Sequence, residues 1–185
     1  MRRKIRSAMR RLALTDVAKN ITPALSIVRP SRATMALSTI ILPEHVFIGM
    51  SAPTKWRALQ MLSSKAANCF GLDEGTVLRA LETRERLGTT GIGNGVAVPH
   101  AAIAGMTRPR GLLVRFSHPV DFEAIDDIST EWAFVLLFGE GGRSDYLNVL
   151  AAIARRLRTE GVLTAMRQAK SADELYSVFM SDSVV

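Results

Sequence analysis

A chain of 185 residues with 48% apolar side chains and a mean hydropathy of +0.14 is long enough for one domain with a proper core. No apolar run approaches the roughly 20 residues needed to span a bilayer, and the lone Cys69 excludes an intrachain disulfide and a cysteine-based metal cluster. The net charge of +7 sits in residues 1–34, which hold nine of the 24 Lys and Arg against one acid, Asp16; residues 35–185 carry a net −1. The pI of 10.3 thus describes a basic tail, and it is no argument that the domain binds nucleic acid.

Three readings of residues 1–34 stand side by side. They are a disordered extension, a targeting segment rich in Arg and Ser but without the apolar centre of a secretory signal, and sequence upstream of a true start at Met35. We prefer the first and the third, because the charge balance changes at that point. A membrane-surface helix over residues 5–17 and salt-dependent nucleic-acid binding are further readings confined to the tail. The domain is expected over residues 35–185.

From Met35 the elements follow in order. Val46-Phe-Ile-Gly-Met50 reads as a first strand. Ser51 is the expected helix N-cap, with Pro53 in the first turn. Trp56, Leu59, Leu62, Ala66 and Phe70 recur at near-helical spacing, with Cys69 as a small core residue and Gly71 closing the helix. Asp73 caps a second helix, which turns Val77, Leu78 and Leu81 inward and ends at Gly88. Strands are expected at Val96–Val98, Leu112–Phe116 and Trp132–Phe138. Gly139, Gly141 and Gly142 make a turn. Ser144 then caps a helix with Tyr146, Val149, Leu150, Ile153 and Leu157 on one face. Ser171-Ala-Asp-Glu174 is a capping box opening the last helix, with Leu175, Val178 and Phe179 buried. Strands interleaved with helices predict an α/β fold with a central sheet covered by helices.

The most informative stretch is Leu87-Gly-Thr-Thr-Gly-Ile-Gly-Asn-Gly-Val-Ala-Val-Pro-His100. Its glycines allow positive φ and close approach, and Pro99 ends the strand or places it at an edge. A histidine then stands beside a loop whose free amides suit an anion. Neutral imidazole is a good nucleophile, so the pattern suggests a phosphoryl acceptor. Thr89 and Thr90 are candidate donors to the same anion, and plain turn residues otherwise. His45, at the entry to the first strand, and His118, in a Ser-His-Pro turn, show no metal-ligand spacing. Gly91-Ile-Gly-Asn-Gly95 misses the dinucleotide fingerprint, and there is no nucleotide phosphate loop.

The run Arg84-Glu-Arg-Leu-Gly-Thr-Thr-Gly-Ile-Gly-Asn-Gly-Val-Ala-Val-Pro-His100 resembles the active-site motif of the enzyme IIA domains of the bacterial phosphotransferase system. It is of the fructose/mannitol type, nitrogen-regulatory branch. Asp121-Phe-Glu-Ala-Ile-Asp126, Ala133-Phe-Val-Leu-Leu-Phe138 and Ala151-Ala-Ile-Ala-Arg-Arg-Leu157 are similar to the same branch. The likeness runs from about Met35 to Phe179.

The resemblance implies a single mixed β-sheet flanked by helices in a cytoplasmic bacterial protein. It also implies a phosphoryl carrier with a phosphohistidine intermediate, whose donor is a histidine phosphocarrier of the HPr type. No cofactor, metal or membrane span is implied, and the regulated protein targets are not named by it. His100 becomes the acceptor. Arg84, rather than Arg86, becomes the phosphate-stabilising arginine, while Thr89, Thr90, Gly91 and Gly93 form a phosphate loop. Tyr146 stands where many members carry a second histidine. Ala101 and Ala102 follow His100 where a glycine or polar residue is common, and Asp127 stands where glycine is usual. Two alternatives follow: a binding-only regulator with degraded transfer, and a IIA component serving a separate sugar permease.

Overall fold

The apolar strand segments collect into one six-stranded mixed sheet. In chain order the strands are β1 (Val46–Met50), β2 (Gly91–Gly93), β3 (Val96–Ala97), β4 (His100–Ala102), β5 (Arg110–Val120) and β6 (Thr130–Phe138). They lie in the order β1-β5-β6-β3-β2, with β4 also paired to β6. β5 and β6 run antiparallel, whereas β1 is parallel to β5, and β3 and β4 are parallel to β6. The computed structural model describes residues 37–140 and 143–181, without the side chains of residues 143–145 and 160. The expectations for residues 1–34, Met35, Gly141 and Gly142 fall outside those residues, and the Ser144 cap rests on one of the side chains left out.

β6 is central, and its nearly unbroken apolar run suits a strand buried on both faces. Trp132, Phe134, Leu136 and Phe138 enter one core, while Ala133, Val135 and Leu137 enter the other. Two helices, α1 (Lys55–Phe70) and α2 (Glu74–Arg86), supply the second core; α3 (Arg143–Leu157), α4 (Glu160–Gln168) and α5 (Ala172–Met180) supply the first. The expected sheet with helices on its faces is the observed fold. Gly111 on β5 lies under the Phe134 ring so closely that an added Cβ would stand 2.7 Å from it; only glycine admits that packing.

Local chemistry explains where the elements begin and end. α1 starts at Lys55, not after Ser51: Thr54 is its cap, and its hydroxyl accepts the Arg57 N–H at 3.3 Å. Pro53 accordingly precedes the cap instead of opening the first turn. Ala58, Leu59, Leu62 and Ala66 set the inward face, which leaves Trp56 at the rim, 42% exposed. Cys69, near the end of α1, is half-buried instead of a fully buried core residue. Gly71 closes α1 at φ 68, as expected. Asp73 caps α2 by accepting the Thr76 N–H at 2.8 Å. Leu81 and Val77 are buried and Leu78 is only partly so. Helix α2 ends at Arg86, two residues short of Gly88.

At the far end, the Ser171 hydroxyl accepts the Glu174 N–H at 3.1 Å, but the Glu174 carboxylate takes the Lys170 N–H at 2.7 Å. The capping box therefore closes one residue early. Leu175 and Phe179 are buried, Val178 partly. Helix α4 was not expected. It has nine residues, one of them Gly161, and among its described side chains only Val162, Leu163 and Met166 are buried, too brief a stripe to read.

Candidate phosphoryl-acceptor site

The glycine-rich stretch folds as a hairpin. Asn94 and Gly95, at φ 56 and 73, turn β2 back onto β3, where Gly91 faces Ala97 and Gly93 faces Val96. Asn-Gly is the sequence that a two-residue hairpin turn with both central φ values positive requires. Several of the amides expected to cradle an anion bond within the protein. The Gly91 N–H donates to the Thr89 hydroxyl at 3.0 Å, and the Asn94 N–H to the Asp126 carboxylate at 2.7 Å. The Thr89 hydroxyl donates to the Phe122 carbonyl, and the Thr90 hydroxyl and N–H donate to Glu85 at 2.6 and 3.1 Å. Thr89, Thr90, Gly91 and Gly93 thus stabilise a hairpin and do not line the pocket at His100.

β3 stops at Ala97, one residue before the expected Val98: the Val98 N–H still donates to the Thr90 carbonyl at 2.9 Å, in register with the β2–β3 pairing, but the Thr90 N–H goes to Glu85 and the Val98 carbonyl to His100, so the reciprocal ladder bond is not made. Pro99 has no N–H to give, yet its carbonyl accepts the Leu136 N–H at 2.9 Å and pairing with β6 resumes at His100. The proline interrupts the ladder without ending the sheet. His100 enters opposite Leu136, toward the C-terminal end of β6.

Both ring nitrogens of His100 are engaged. Nδ1 lies 2.8 Å from the Val98 carbonyl, and Nε2 lies 3.0 Å from Arg84 Nε. A carbonyl only accepts and a guanidinium only donates. The pair therefore assigns one tautomer: Nδ1 carries the proton and Nε2 keeps its lone pair. Arg84 Nη1 also donates to the Gly88 carbonyl at 2.9 Å, tying the guanidinium to the end of its own helix. Burial holds the His100 pKa below its ordinary value of 6.5. The neighbouring Arg84 charge acts in the same direction, against the Val98 hydrogen bond and Glu85. Arg86 points elsewhere: it is 3.4 Å from Glu82 and lies over the Trp56 ring.

His100 and Arg84 line an open pocket of about 500 Å³ together with Tyr146, Arg79, Thr83, Leu87 and Ala102. Tyr146 stacks flat on Phe138, at 3.9 Å between centroids and 6° between planes. It is thus at once a packing aromatic and a wall of the pocket. His45 is buried, with Nδ1 accepting the Leu42 N–H at 3.3 Å and its ring edge-on to Phe70, while His118 is exposed on β5. Neither approaches the pocket. Among the described residues no cluster of His, Cys, Asp and Glu suits a metal ion.

Two charged residues escaped notice in the sequence. Glu85 and Lys55 are buried, with Nζ 3.6 Å from a Glu85 carboxylate oxygen and 2.8 Å from Glu123. The signal for Glu85 was its register: Val77, Leu81 and Glu85 fall four apart, on the inward stripe of α2.

Residues 39–181 match the family described as the phosphoenolpyruvate-dependent sugar phosphotransferase system, EIIA 2. The chain belongs to this family. The nitrogen regulatory protein of Bradyrhizobium diazoefficiens is 38% identical over 144 residues, covering 78% of this chain and 94% of that protein. The nitrogen regulatory protein of Escherichia coli (strain K12) is 34% identical over 146 residues, covering 78% of this chain and 90% of that protein. Among solved structures, the nitrogen regulatory protein IIA-Ntr from Neisseria meningitidis aligns with a TM-score of 0.73 at 28% identity, over 77% of this chain and 98% of that one. The IIA mannitol structure from Escherichia coli aligns with a TM-score of 0.63 at 21% identity, over 75% of this chain and 98% of that one, and shows the shared fold.

As an EIIA 2 member the chain is a phosphotransferase-system IIA-like protein of the nitrogen-regulatory kind. Among its described residues no helix is long and apolar enough to cross a membrane. One departure from the family pattern has a conformational basis: Asp127, where glycine is usual, sits at φ 55, a left-handed backbone that Asp tolerates better than most residues.

Proposed function

We propose that His100 Nε2 accepts a phosphoryl group from a histidine phosphocarrier of the HPr type, and that the output is regulation through protein contacts that depend on this modification. The observation that carries the reading is the pair of hydrogen bonds fixing His100 as a neutral imidazole with its lone pair on Nε2. In transfer, that lone pair forms the new N–P bond while the donor's P–N bond breaks and its electrons return to the donor imidazole. The Nδ1–H to Val98 bond supports the positive charge that develops on the ring. Arg84 masks Nε2 at rest. As phosphorus arrives, the guanidinium moves its N–H groups to the phosphoryl oxygens, which suit its planar fork. A cytoplasmic setting belongs to the same reading.

The test is incubation with phosphoenolpyruvate, the general phosphotransferase proteins and labelled phosphate. The reading requires an acid-labile, alkali-stable label on this chain, and no such label would refute it.

The pH dependence follows from the direction of the His100 shift. Only neutral imidazole attacks, and the folded pKa lies below 6.5. Single-turnover transfer is therefore expected to fall on acidification with a midpoint below pH 6.5, following the titration of the His100 ring in NMR. A midpoint at or above 6.5 would contradict this. The sign for stability is the same: the unfolded chain takes up the proton more readily, so stability rises with pH across the interval between the folded value and 6.5.

Tyr146 favours a second reading, a regulator that binds its targets without transferring phosphate, because a neutral phenol stands where many family members offer an imidazole. Under the transfer reading, Tyr146→His speeds phosphorylation of His100 and Tyr146→Phe slows it about two- to fivefold, the loss expected for one neutral hydrogen bond. Single-turnover labelling of the three proteins is the check. Target binding indifferent to His100→Ala and His100→Asp would favour the binding-only reading.

A further inference from the structure

The carboxylate of Glu85 is almost wholly buried, at 1% exposure, and it lies outside the pocket. A buried charge needs partners, and these are given. Thr90 donates its N–H to both carboxylate oxygens, at 3.2 and 3.1 Å, and its hydroxyl at 2.6 Å. Lys55 Nζ of α1 stands 3.6 Å away and is itself neutralised by Glu123 at 2.8 Å.

The bonds then continue to the histidine. The Thr90 carbonyl accepts the Val98 N–H at 2.9 Å, and the Val98 carbonyl accepts His100 Nδ1–H at 2.8 Å. His100 Nε2 accepts Arg84 Nε–H at 3.0 Å, and Arg84 precedes Glu85 in the last turn of α2. The path closes on itself. The two nitrogens of the ring hang from two structures, the end of a helix and the open end of a hairpin where Val98 pairs with Thr90, and Glu85 is the group that holds those structures together.

We propose that Glu85, through Thr90 and backed by Lys55, is a positioning residue that fixes the Nδ1–H tautomer and ring orientation of His100. The assignment deepens the phosphoryl-acceptor reading and rests on it for its consequence, but the tautomer itself is observable without transfer. Removing the lock frees the hairpin start from α2, and the two ring bonds no longer hold one geometry. Misplacement of a nucleophile by even a fraction of an ångström lowers rate more than affinity.

The experiment compares Thr90→Val, which keeps the shape of the side chain and removes its hydroxyl, with Thr90→Ser, which restores it. Glu85→Gln and Glu85→Ala form a second pair. Nitrogen-15 shifts of the His100 imidazole read the tautomer, and single-turnover labelling reads transfer. Thr90→Val is expected to mix the two tautomers and slow transfer about tenfold, with half-saturation by the donor unchanged. Thr90→Ser should restore both, and Glu85→Gln should be milder than Glu85→Ala. Wild-type shifts in Thr90→Val, with or without loss of thermal stability, would overturn the proposal and leave Glu85 a purely structural anchor. If the wild-type protein takes no label, the phosphoryl-acceptor reading fails, while the tautomer shifts still decide for or against the lock.

Discussion

His100→Ala is expected to take no acid-labile phosphate at any donor concentration. The other two histidines cannot substitute for it, because His45 is buried against Phe70 and His118 is exposed on β5, and neither lines the pocket. The loss should not be one of folding. Removal of the ring leaves the Val98 carbonyl without its Nδ1–H donor, at a cost of about 1–3 kcal/mol, while the freed Arg84 guanidinium faces an open pocket where water satisfies it. A thermal melt beside the labelling assay separates the two effects: a cooperative transition with no label supports the assignment. A labelled, folded His100→Ala protein would remove His100 from the chemistry.

Arg84→Ala should lower the transfer rate by about 10²–10³, the range found when one preorganised donor to developing negative charge is deleted. The expectation is specific about which constant moves. In the resting protein Arg84 bonds Nε2, the atom that must attack, so it contributes to the transition state only after releasing that nitrogen to phosphorus. The loss should therefore appear in the first-order constant at saturating donor, with half-saturation little changed. Arg84→Lys should recover little. A compact ammonium does not span the Gly88 carbonyl and a phosphoryl group as the planar guanidinium does. Rapid-quench measurements across donor concentrations are the check, and a lysine variant at wild-type rate would show that charge alone suffices.

Much of the fold was legible because each signal was local. Gly71 needed a left-handed backbone, Asp73 stood one residue before a helix, and β6 was an apolar run too dense for any edge position. The single mixed sheet became legible through the family resemblance, since the β1–β5 and β3–β6 pairings join distant segments. The site was half legible. Pro99-His100 and Arg84 stood at spacings carried by that resemblance, and the structure brings them to 3.0 Å.

What local patterns did not show had non-local causes. Four glycines in eight residues suggested an anion nest, but Asn94-Gly95 is also a hairpin turn, and the partners that consume the loop's amides, Glu85 and Asp126, lie outside it. Ser51 and Thr54 are both good caps, and only the inward face of α1 decides between them. Glu85, between two arginines, carried no local mark of burial. Its burial depends on Lys55, thirty residues earlier, and on Thr90 across a turn that sequence alone does not close.

The central claim is that Nε2 of His100 is the atom that carries phosphate. The most direct measurement is phosphorus–nitrogen NMR on the phosphorylated, nitrogen-15-labelled protein, which reports the nitrogen bonded to phosphorus. The account predicts a single phosphoramidate on His100 Nε2, with Nδ1 still hydrogen-bonded to Val98. Phosphate on Nδ1, on another residue, or absent altogether would contradict it.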